Sequence, residues 1–232
     1  MREIIFDTET TGLNAGGGDR MVEIGCVEIY NRVETGRHFH AYFNPDRDMP
    51  FEAEMVHGLT NLFLSDKPRF EERVDELLEF IGDAPLVAHN ASFDFGFLNL
   101  ELERCGRASV CASRMVDTLA IARTRHPGAK HSLDALCMRF GVDRSHRLKH
   151  GALLDAQLLA QVYVELTGGR QIGLGLVADT RAAGVVDGPG QVRIRTRREP
   201  RPHRPAIEEL ERHRAFIARL VNPLWARFAE AG

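Results

Sequence analysis

The sequence predicts an α/β fold in which a mixed central sheet is flanked by helices. Three segments between residues 1 and 43 have the apolar patterns of short strands and follow one another closely. From residue 70 to residue 166 the apolar residues recur mainly at helical spacing, with a short apolar run at 85–88. Early strands followed by mostly helical segments are typical of a sheet with helices packed on it.

The first three strands are predicted at Met1–Phe6, Met21–Tyr30 and Arg37–Phe43. Because few residues separate them, we expect them to pair as an antiparallel meander. The glycine-rich turn at 14–20 lacks the Lys-Ser/Thr pair of a phosphate-binding loop. It is therefore interpreted as a flexible hairpin connection.

The helices are predicted from apolar spacing and from capping residues. Gly58 is expected to end a short helix at 51–58, and Ser132 is expected to cap the start of a later one. The remaining elements are helices at 70–81, directly after residue 94, at 117–125, 132–140 and 151–166, and strands at 85–88 and 110–116.

The composition is ordinary for a water-soluble protein and gives no bulk affinity for polyanions. Of 232 residues, 44% are hydrophobic and 27% charged, which allows one core and a tail. No apolar run reaches the length of a membrane span, and the first residues do not have the pattern of a signal peptide. The four scattered cysteines are expected to remain reduced thiols. With a net charge of -3, a nucleic acid would have to be held locally, by metal and a few basic residues.

Two carboxylates follow the first strand in Phe6-Asp7-Thr8-Glu9-Thr10-Thr11-Gly12. Alternate residues of a strand share a face, so Asp7 and Glu9 point the same way, about 6.6 Å apart along the strand. Two neighbouring anions repel each other unless a positive charge lies between them. A divalent cation with oxygen ligands, Mg²⁺ or Mn²⁺, is the simplest partner, and a solvated strand end is the alternative.

Further candidate site residues are Asp94, His150 and Asp155. The last two are the ends of the segment His150-Gly151-Ala152-Leu153-Leu154-Asp155. On one regular helix His150 and Asp155 would lie about 140° apart, because five residues advance about 500°. We therefore expect His150 in the loop before the helix and Asp155 in its first turns. A fixed aspartate suits a metal ligand, and histidine, with an ordinary pKa of about 6.5, suits a general base. The structural alternatives are a helix-capping Asp94 and a loop-bonding histidine.

The four acids are Asp7, Glu9, Asp94 and Asp155. A single Mg²⁺ that keeps coordination positions open for substrate needs fewer carboxylate ligands than these four. They suit two divalent ions about 3.5–4 Å apart, which stabilise the attacking and leaving oxygens of an in-line phosphoryl displacement. Hydrolysis of a phosphodiester is therefore the predicted reaction. The candidate catalytic residues are Asp7, Glu9, Asp94, His150 and Asp155.

The order of three motifs resembles that of the DEDDh 3′→5′ exonucleases. The motifs lie at 6–12, 89–94 and 150–155, and matching stretches extend across about residues 1–176. Within that family, the proofreading members of bacterial replicative polymerases are the most similar. The resemblance implies a ribonuclease-H-like exonuclease fold and removal of mispaired 3′-terminal nucleotides from DNA as nucleoside 5′-monophosphates.

The resemblance also implies a role for each site residue. Asp7 would bridge two metal ions, Mg²⁺ or Mn²⁺. Glu9 and Asp155 would complete the first metal site, and Asp94 would support the second. His150 would deprotonate the attacking water. The residues that would contact the terminal nucleotide are Asp7, Glu9, Glu52, His57 and Asp155; for the two on the short helix, a surface helix end is the alternative.

Composition and resemblance divide the chain into four parts. The linker is rich in arginine, proline and glycine and poor in large apolar residues, which predicts a flexible tether. The tail has apolar residues at helical spacing but no core of its own, so it either folds back or docks on another protein. The parts are the exonuclease domain 1–170, a segment resembling a sliding-clamp motif at 171–176 with Gln171, Leu174 and Leu176, the linker 177–205 and the tail 206–232.

The implied partners are DNA 3′ ends, the sliding clamp through 171–176 and the polymerase (alpha) subunit of the replicase through the tail. The expected location is the cytoplasm, at the bacterial replisome, with no membrane partner. Two other functions stay open. One is a related DEDDh exoribonuclease, because the same carboxylates serve either sugar. The other is a non-catalytic adaptor between clamp and polymerase, which would have no need of the clustered carboxylates.

Overall fold

The computed structural model describes residues 1–145, 149–169 and 205–220. Residues 1–169 belong to one compact unit and 205–220 to a second. The first unit is a five-stranded mixed sheet flanked by helices, as predicted. Its elements are β1 Arg2–Thr10, β2 Met21–Tyr30, β3 Val33–Tyr42, α1 Phe51–His57, α2 Asn61–Leu64, α3 Phe70–Ile81, β4 Leu86–Ala88, α4 Ala91–Arg104, β5 Met115–Asp117, α5 Thr118–Arg125, α6 Leu133–Phe140 and α7 Ala152–Leu166; the second unit contains α8 Ile207–Ile217.

The strands lie in the order β3-β2-β1-β4-β5. The first three form the predicted antiparallel meander, and β4 and β5 then add in parallel to the other side of β1. Strand β1 is therefore central and is covered on both faces. A strand in this position is held by neighbours on each side, which makes it a rigid support for side chains at its end.

Alternate residues of β1 face two separate cores. Ile4 and Phe6 pack in the core that includes Leu77 of α3. Ile5 points the other way and packs in a core with Leu159 of α7. Burying each of these side chains contributes about 1.5–3 kcal/mol. The same alternation continues to the strand's end, so the odd-numbered acids of β1 lie on the face that α7 covers.

Strand β1 is longer than predicted and ends at Thr10 rather than Phe6. The threonines after Phe6 continue the ladder, because Thr8 lies opposite Ile24 and Thr10 opposite Met21. The register shifts between Glu9 and Thr10, which is the signature of a bulge. Strand β3 is also longer, and starts at Val33. The segment that carries Asp7 and Glu9 is thus part of the sheet and not a loop beyond it.

Two other predictions needed correction. The strand expected at 110–116 consists only of Met115–Asp117, because Ala112–Arg114 form a 3₁₀ turn. The short helix α2 was not predicted, since four residues are too few for an apolar period to appear. The remaining helices agree with the predictions, except that α4 starts at Ala91 and so includes Asp94, whereas the helix was expected to begin directly after that residue. Gly58 ends α1 with φ of 79°, and the Ser132 side chain accepts a hydrogen bond from the Ala135 amide at the start of α6.

The structure describes only part of the C-terminal region for which predictions were made. Helix α8 falls within the predicted tail, whereas the clamp-like segment 171–176, with Gln171, Leu174 and Leu176, most of the linker and residues 221–232 lie outside the described residues. All four cysteines are free thiols, as expected. In the described part of the chain, no helix is both long and apolar enough to cross a membrane.

Candidate active site

The first two acids of the candidate site extend from the end of the central strand. In the register of β1 with β2, Asp7 lies opposite Gly25 and Glu9 lies opposite Glu23. Both acids therefore share the face that α7 covers, as their spacing predicted. Glu9 is buried, with 9% of its surface exposed, and Asp7 is partly exposed. The site is thus set into the sheet rather than placed on an outer loop.

Asp94 lies in the first turn of α4 and is 3% exposed. Asn90, in the left-handed conformation with φ of 66°, turns the chain from β4 into this helix, and its amide donates to Asp117 at 3.1 Å. The Thr8 hydroxyl donates to Asp94 at 2.7 Å and so ties α4 to β1. Burial raises the pKa of Asp94 to about 7, although the hydrogen bond from Thr8 acts in the opposite direction.

Helix α7 brings in the last acid. Its start packs so closely on β2 that a Cβ at Gly25 would lie 2.2 Å from the Leu153 nitrogen and 2.4 Å from the Ala152 carbonyl carbon. Glycine in a strand interior commonly marks such a close backbone approach. Asp155 lies in the first turn of α7, 3% exposed, so this packing decides how far it stands from β1.

Glu9 of β1 meets His150 and Asp155 at the start of α7. Ligand atoms of Glu9, His150 and Asp155 all lie within 4.8 Å of one another. His150 is in the loop just before α7, as predicted, and its Nδ1 is 3.3 Å from Oδ2 of Asp155. Its side chain is about half exposed, whereas Asp155 is almost fully buried. A buried, fixed acid and an accessible imidazole therefore lie next to each other.

Asp7 links this group to Asp94. The pKa of Asp7 is raised well above its usual range, first by burial and then by the charges of Asp94, Glu9 and Asp155. The four acids thus lie close enough to oppose one another's ionisation. Carboxylate oxygens with one neighbouring imidazole are a donor set that fits Mg²⁺ or Mn²⁺. The residues present therefore suit divalent cations, which would remove the repulsion.

The two residues expected at the terminal nucleotide are on α1. His57 is buried, and its Nδ1 accepts a hydrogen bond from the Leu59 amide at 3.0 Å, so its proton is on Nε2. That Nε2 is buried and faces the backbone of Thr10, at the end of β1. Burial lowers the pKa of His57, which favours the neutral ring. Glu52 is exposed in the first turn of α1.

Helix α1 is joined to the loop that carries His150. The His150 amide donates to the Val56 carbonyl at 3.4 Å. The Lys149 side chain lies over Gly58, where its Nζ would be 2.9 Å from an added Cβ. The two segments predicted to contact substrate and to supply the base are therefore neighbours.

Sequence reasoning missed Glu23, Gly25 and the left-handed Asn90. A signal was present for the first two: an acid and a glycine occupy alternate positions of a mainly apolar strand, on the face opposite to Ile24 and Cys26. Their place beside Asp7 and Glu9 follows only from strand register, which the sequence of one strand does not specify.

Comparison with known proteins agrees with this geometry. A family profile described as Exonuclease matches residues 4–163. The DNA polymerase III subunit epsilon of Rickettsia felis is 49% identical over 225 residues, covering 96% of this chain and 98% of that protein. Exonuclease X in complex with 5′ overhanging duplex DNA is similar in structure, with a TM-score of 0.58 and 27% identity, over 71% of this chain and 90% of that one.

A second solved structure bears on the fold alone. The nuclease domain of 3′hExo, a DEDDh family member bound to rAMP, has a TM-score of 0.62 at 15% identity and covers 72% of this chain and 91% of its own. Its likeness confirms the ribonuclease-H-like architecture that the motifs implied.

Proposed function

Since this chain belongs to the exonuclease family, and within it to the epsilon subunits of DNA polymerase III, we propose that it is the proofreading 3′→5′ exonuclease of a bacterial replicase. It removes mispaired nucleotides from DNA 3′ ends by hydrolysing the terminal phosphodiester and releasing nucleoside 5′-monophosphates. The observation that carries this proposal is the convergence of Glu9, His150 and Asp155 within 4.8 Å, beside Asp7.

The acids have the task of holding divalent cations, and we propose Mg²⁺ or Mn²⁺. Asp7, Glu9 and Asp155 would hold one ion, and Asp7 with Asp94 would support a second. When bound, the ions would supply Lewis acidity toward the scissile phosphate and neutralise the charge that develops on its oxygens. The buried positions of Glu9, Asp94 and Asp155 fix these ligands before substrate arrives.

His150 has the task of taking the proton from the attacking water. Its half-exposed ring can reach a water in the open site, while Asp155 within 3.3 Å holds its orientation. His57 and Glu52 on α1 are proposed to contact the terminal nucleotide. The His57 ring faces the backbone of Thr10, next to Glu9 on β1, which supports a role beside the proposed site.

The proposed assembly follows from the relatives rather than from contacts within this chain. Epsilon subunits are named as parts of DNA polymerase III, and this chain is 49% identical to one of them. We propose that the exonuclease domain 1–170 is tethered through the linker 177–205, that 171–176 contacts the sliding clamp, and that the tail 206–232 binds the alpha (polymerase) subunit. The protein then works at the replication fork, in the cytoplasm.

The direct test is degradation of a 5′-labelled primer–template that carries a 3′ mismatch. The full chain is assayed with Mg²⁺, with Mn²⁺ and with chelator, beside a matched primer and an RNA of the same sequence. We expect stepwise loss of nucleotides from the mismatched DNA end, only with metal. Preference for RNA would refute the proofreading assignment within the family, and no cleavage of either polymer would refute the nuclease itself.

A further inference from the structure

A fifth carboxylate, Glu23, lies beside the candidate site. It is on β2, directly across from Glu9, and both face the side that α7 covers. Only 2% of Glu23 is exposed. An acid is rarely buried to this degree unless other groups hold it. Glu23 is also among the charges that raise the pKa of Asp7, so its field reaches the acids of the site.

Two side chains of β3 hold this carboxylate on the side away from β1. His40 Nε2 lies 2.7 Å from Oε1 of Glu23, and the Tyr42 hydroxyl forms a further hydrogen bond with it. The rings of His40 and Tyr42 pack edge to face with centroids 4.7 Å apart. His40 and Tyr42 therefore hold the Glu23 carboxylate in place from β3, on the side away from Glu9.

We propose that Glu23 is a positioning residue of the metal centre: its fixed negative charge strengthens cation binding by Asp7 and Glu9. The inference rests on the proposed function, since it requires that those acids bind metal. Groups that hydrogen-bond to metal ligands typically change metal affinity about 10–100-fold when they are replaced, and Glu23, which acts through its charge, is expected at the lower end of that range. Glu23 would act through charge and would not touch the substrate. Replacing the carboxylate with a neutral amide removes the negative charge that faces the site.

The test is Mn²⁺ binding to the full chain by titration calorimetry, with the metal alone and without DNA. Glu23→Gln keeps the size of the side chain and removes its charge, and we expect about tenfold weaker binding. In exonuclease assays the apparent Mg²⁺ activation constant should rise by a similar factor. The kcat at saturating Mg²⁺ should stay within about threefold, because the ligands themselves are intact.

The matched control is Glu28→Gln on the same strand. Glu28 is buried to a similar degree, 5% exposed, and is paired with Arg2 at 2.6 Å, but it points to the other face of the sheet, opposite Ile4. It should lose stability without losing Mn²⁺ affinity. Should Glu23→Gln fail to fold, Glu23→Thr provides a second uncharged residue with a strong preference for strands.

Unchanged Mn²⁺ affinity in the uncharged Glu23 variants would overturn the inference, and so would an equal loss in Glu28→Gln. A wild-type chain that binds no Mn²⁺ but still cleaves DNA would refute the metal centre as well. A tenfold loss confined to Glu23 would support the role, even if the polymer that is cleaved proved to be RNA. The two proposals therefore fail under different results.

Discussion

Replacing Gly25 with alanine should disable the site through a single methyl group. Ordinary contact between a Cβ and a backbone atom begins at about 3.4 Å, but the new atom would lie 2.2 Å from the Leu153 nitrogen. The start of α7 must therefore move by about 1 Å away from β2. The atoms in the way belong to the backbone, so no side-chain rotation can relieve the overlap.

That displacement is transmitted directly to the catalytic residues. Asp155 is in the first turn of α7 and His150 is in the loop just before it, so both move away from Asp7 and Glu9 on β1. A misplacement of about 1 Å can cost on the order of 10²-fold in rate. We expect kcat for mismatched primer to fall by about that factor, with weaker Mn²⁺ binding. The KM for DNA should change less than kcat, because Asp7 and Glu9 on β1, which are also proposed to contact the terminal nucleotide, are not displaced.

The assay compares single-turnover rates of wild type, Gly25→Ala and a control, with thermal unfolding in chelator to establish that each variant is folded. The control is Gly96→Ala, on the exposed face of α4, where an added Cβ meets nothing within 4 Å. It should be fully active and slightly more stable. A rate for Gly25→Ala within threefold of wild type would refute the reasoning, because it would mean that α7 need not approach β2 so closely.

Other predictions concern the acids, the base and the tail. Asp155→Asn should abolish metal-dependent hydrolysis while circular dichroism shows an intact fold; retained activity would refute the role of Asp155 as a metal ligand. His150→Ala should lower kcat by on the order of 10²–10⁴ while Mn²⁺ affinity changes less, measured by single turnover and calorimetry. Because the pKa of Asp94 is raised to about 7 in the folded protein, the folded state holds a proton that the unfolded chain releases. Urea unfolding in chelator should therefore show stability falling as pH rises from about 4 to 7, with a smaller fall in Asp94→Asn. Deleting 171–232 should leave hydrolysis intact and abolish copurification with the polymerase subunit; normal binding would refute the tether.

Much of the fold could be predicted because its signals are local. The period-two pattern of β1 and the helical spacing of Phe70, Val74, Leu77 and Ile81 each report which side of an element is buried. The same period put Asp7 and Glu9 on one face. The loop position of His150 followed from the pitch of a helix, which cannot place it beside Asp155.

The missed features depend on contacts between distant segments. Thr8 and Thr10 are ordinary strand residues only because β2 lies beside them, so the end of β1 could not be read from β1 alone. Gly25 is required only because α7 packs against it, and Glu23 lies at the site only because it pairs with Glu9 on the neighbouring strand. The edge strand β5 is only three residues long, which is too short for alternation to appear.

The connection between β1 and α7 has a consequence for the chain while it is being made. Asp7 and Glu9 lie on β1, which precedes the other four strands in the chain, whereas His150 and Asp155 follow all five strands and are therefore synthesised after them. Under the proposed roles, a nascent or truncated chain that lacks α7 has three of the four acids but neither Asp155 nor the proposed base, and should not cleave. On this proposal, hydrolytic activity should arise only once α7 has docked on the face of β1 that carries Asp7 and Glu9, so incomplete chains should leave nucleic acid intact.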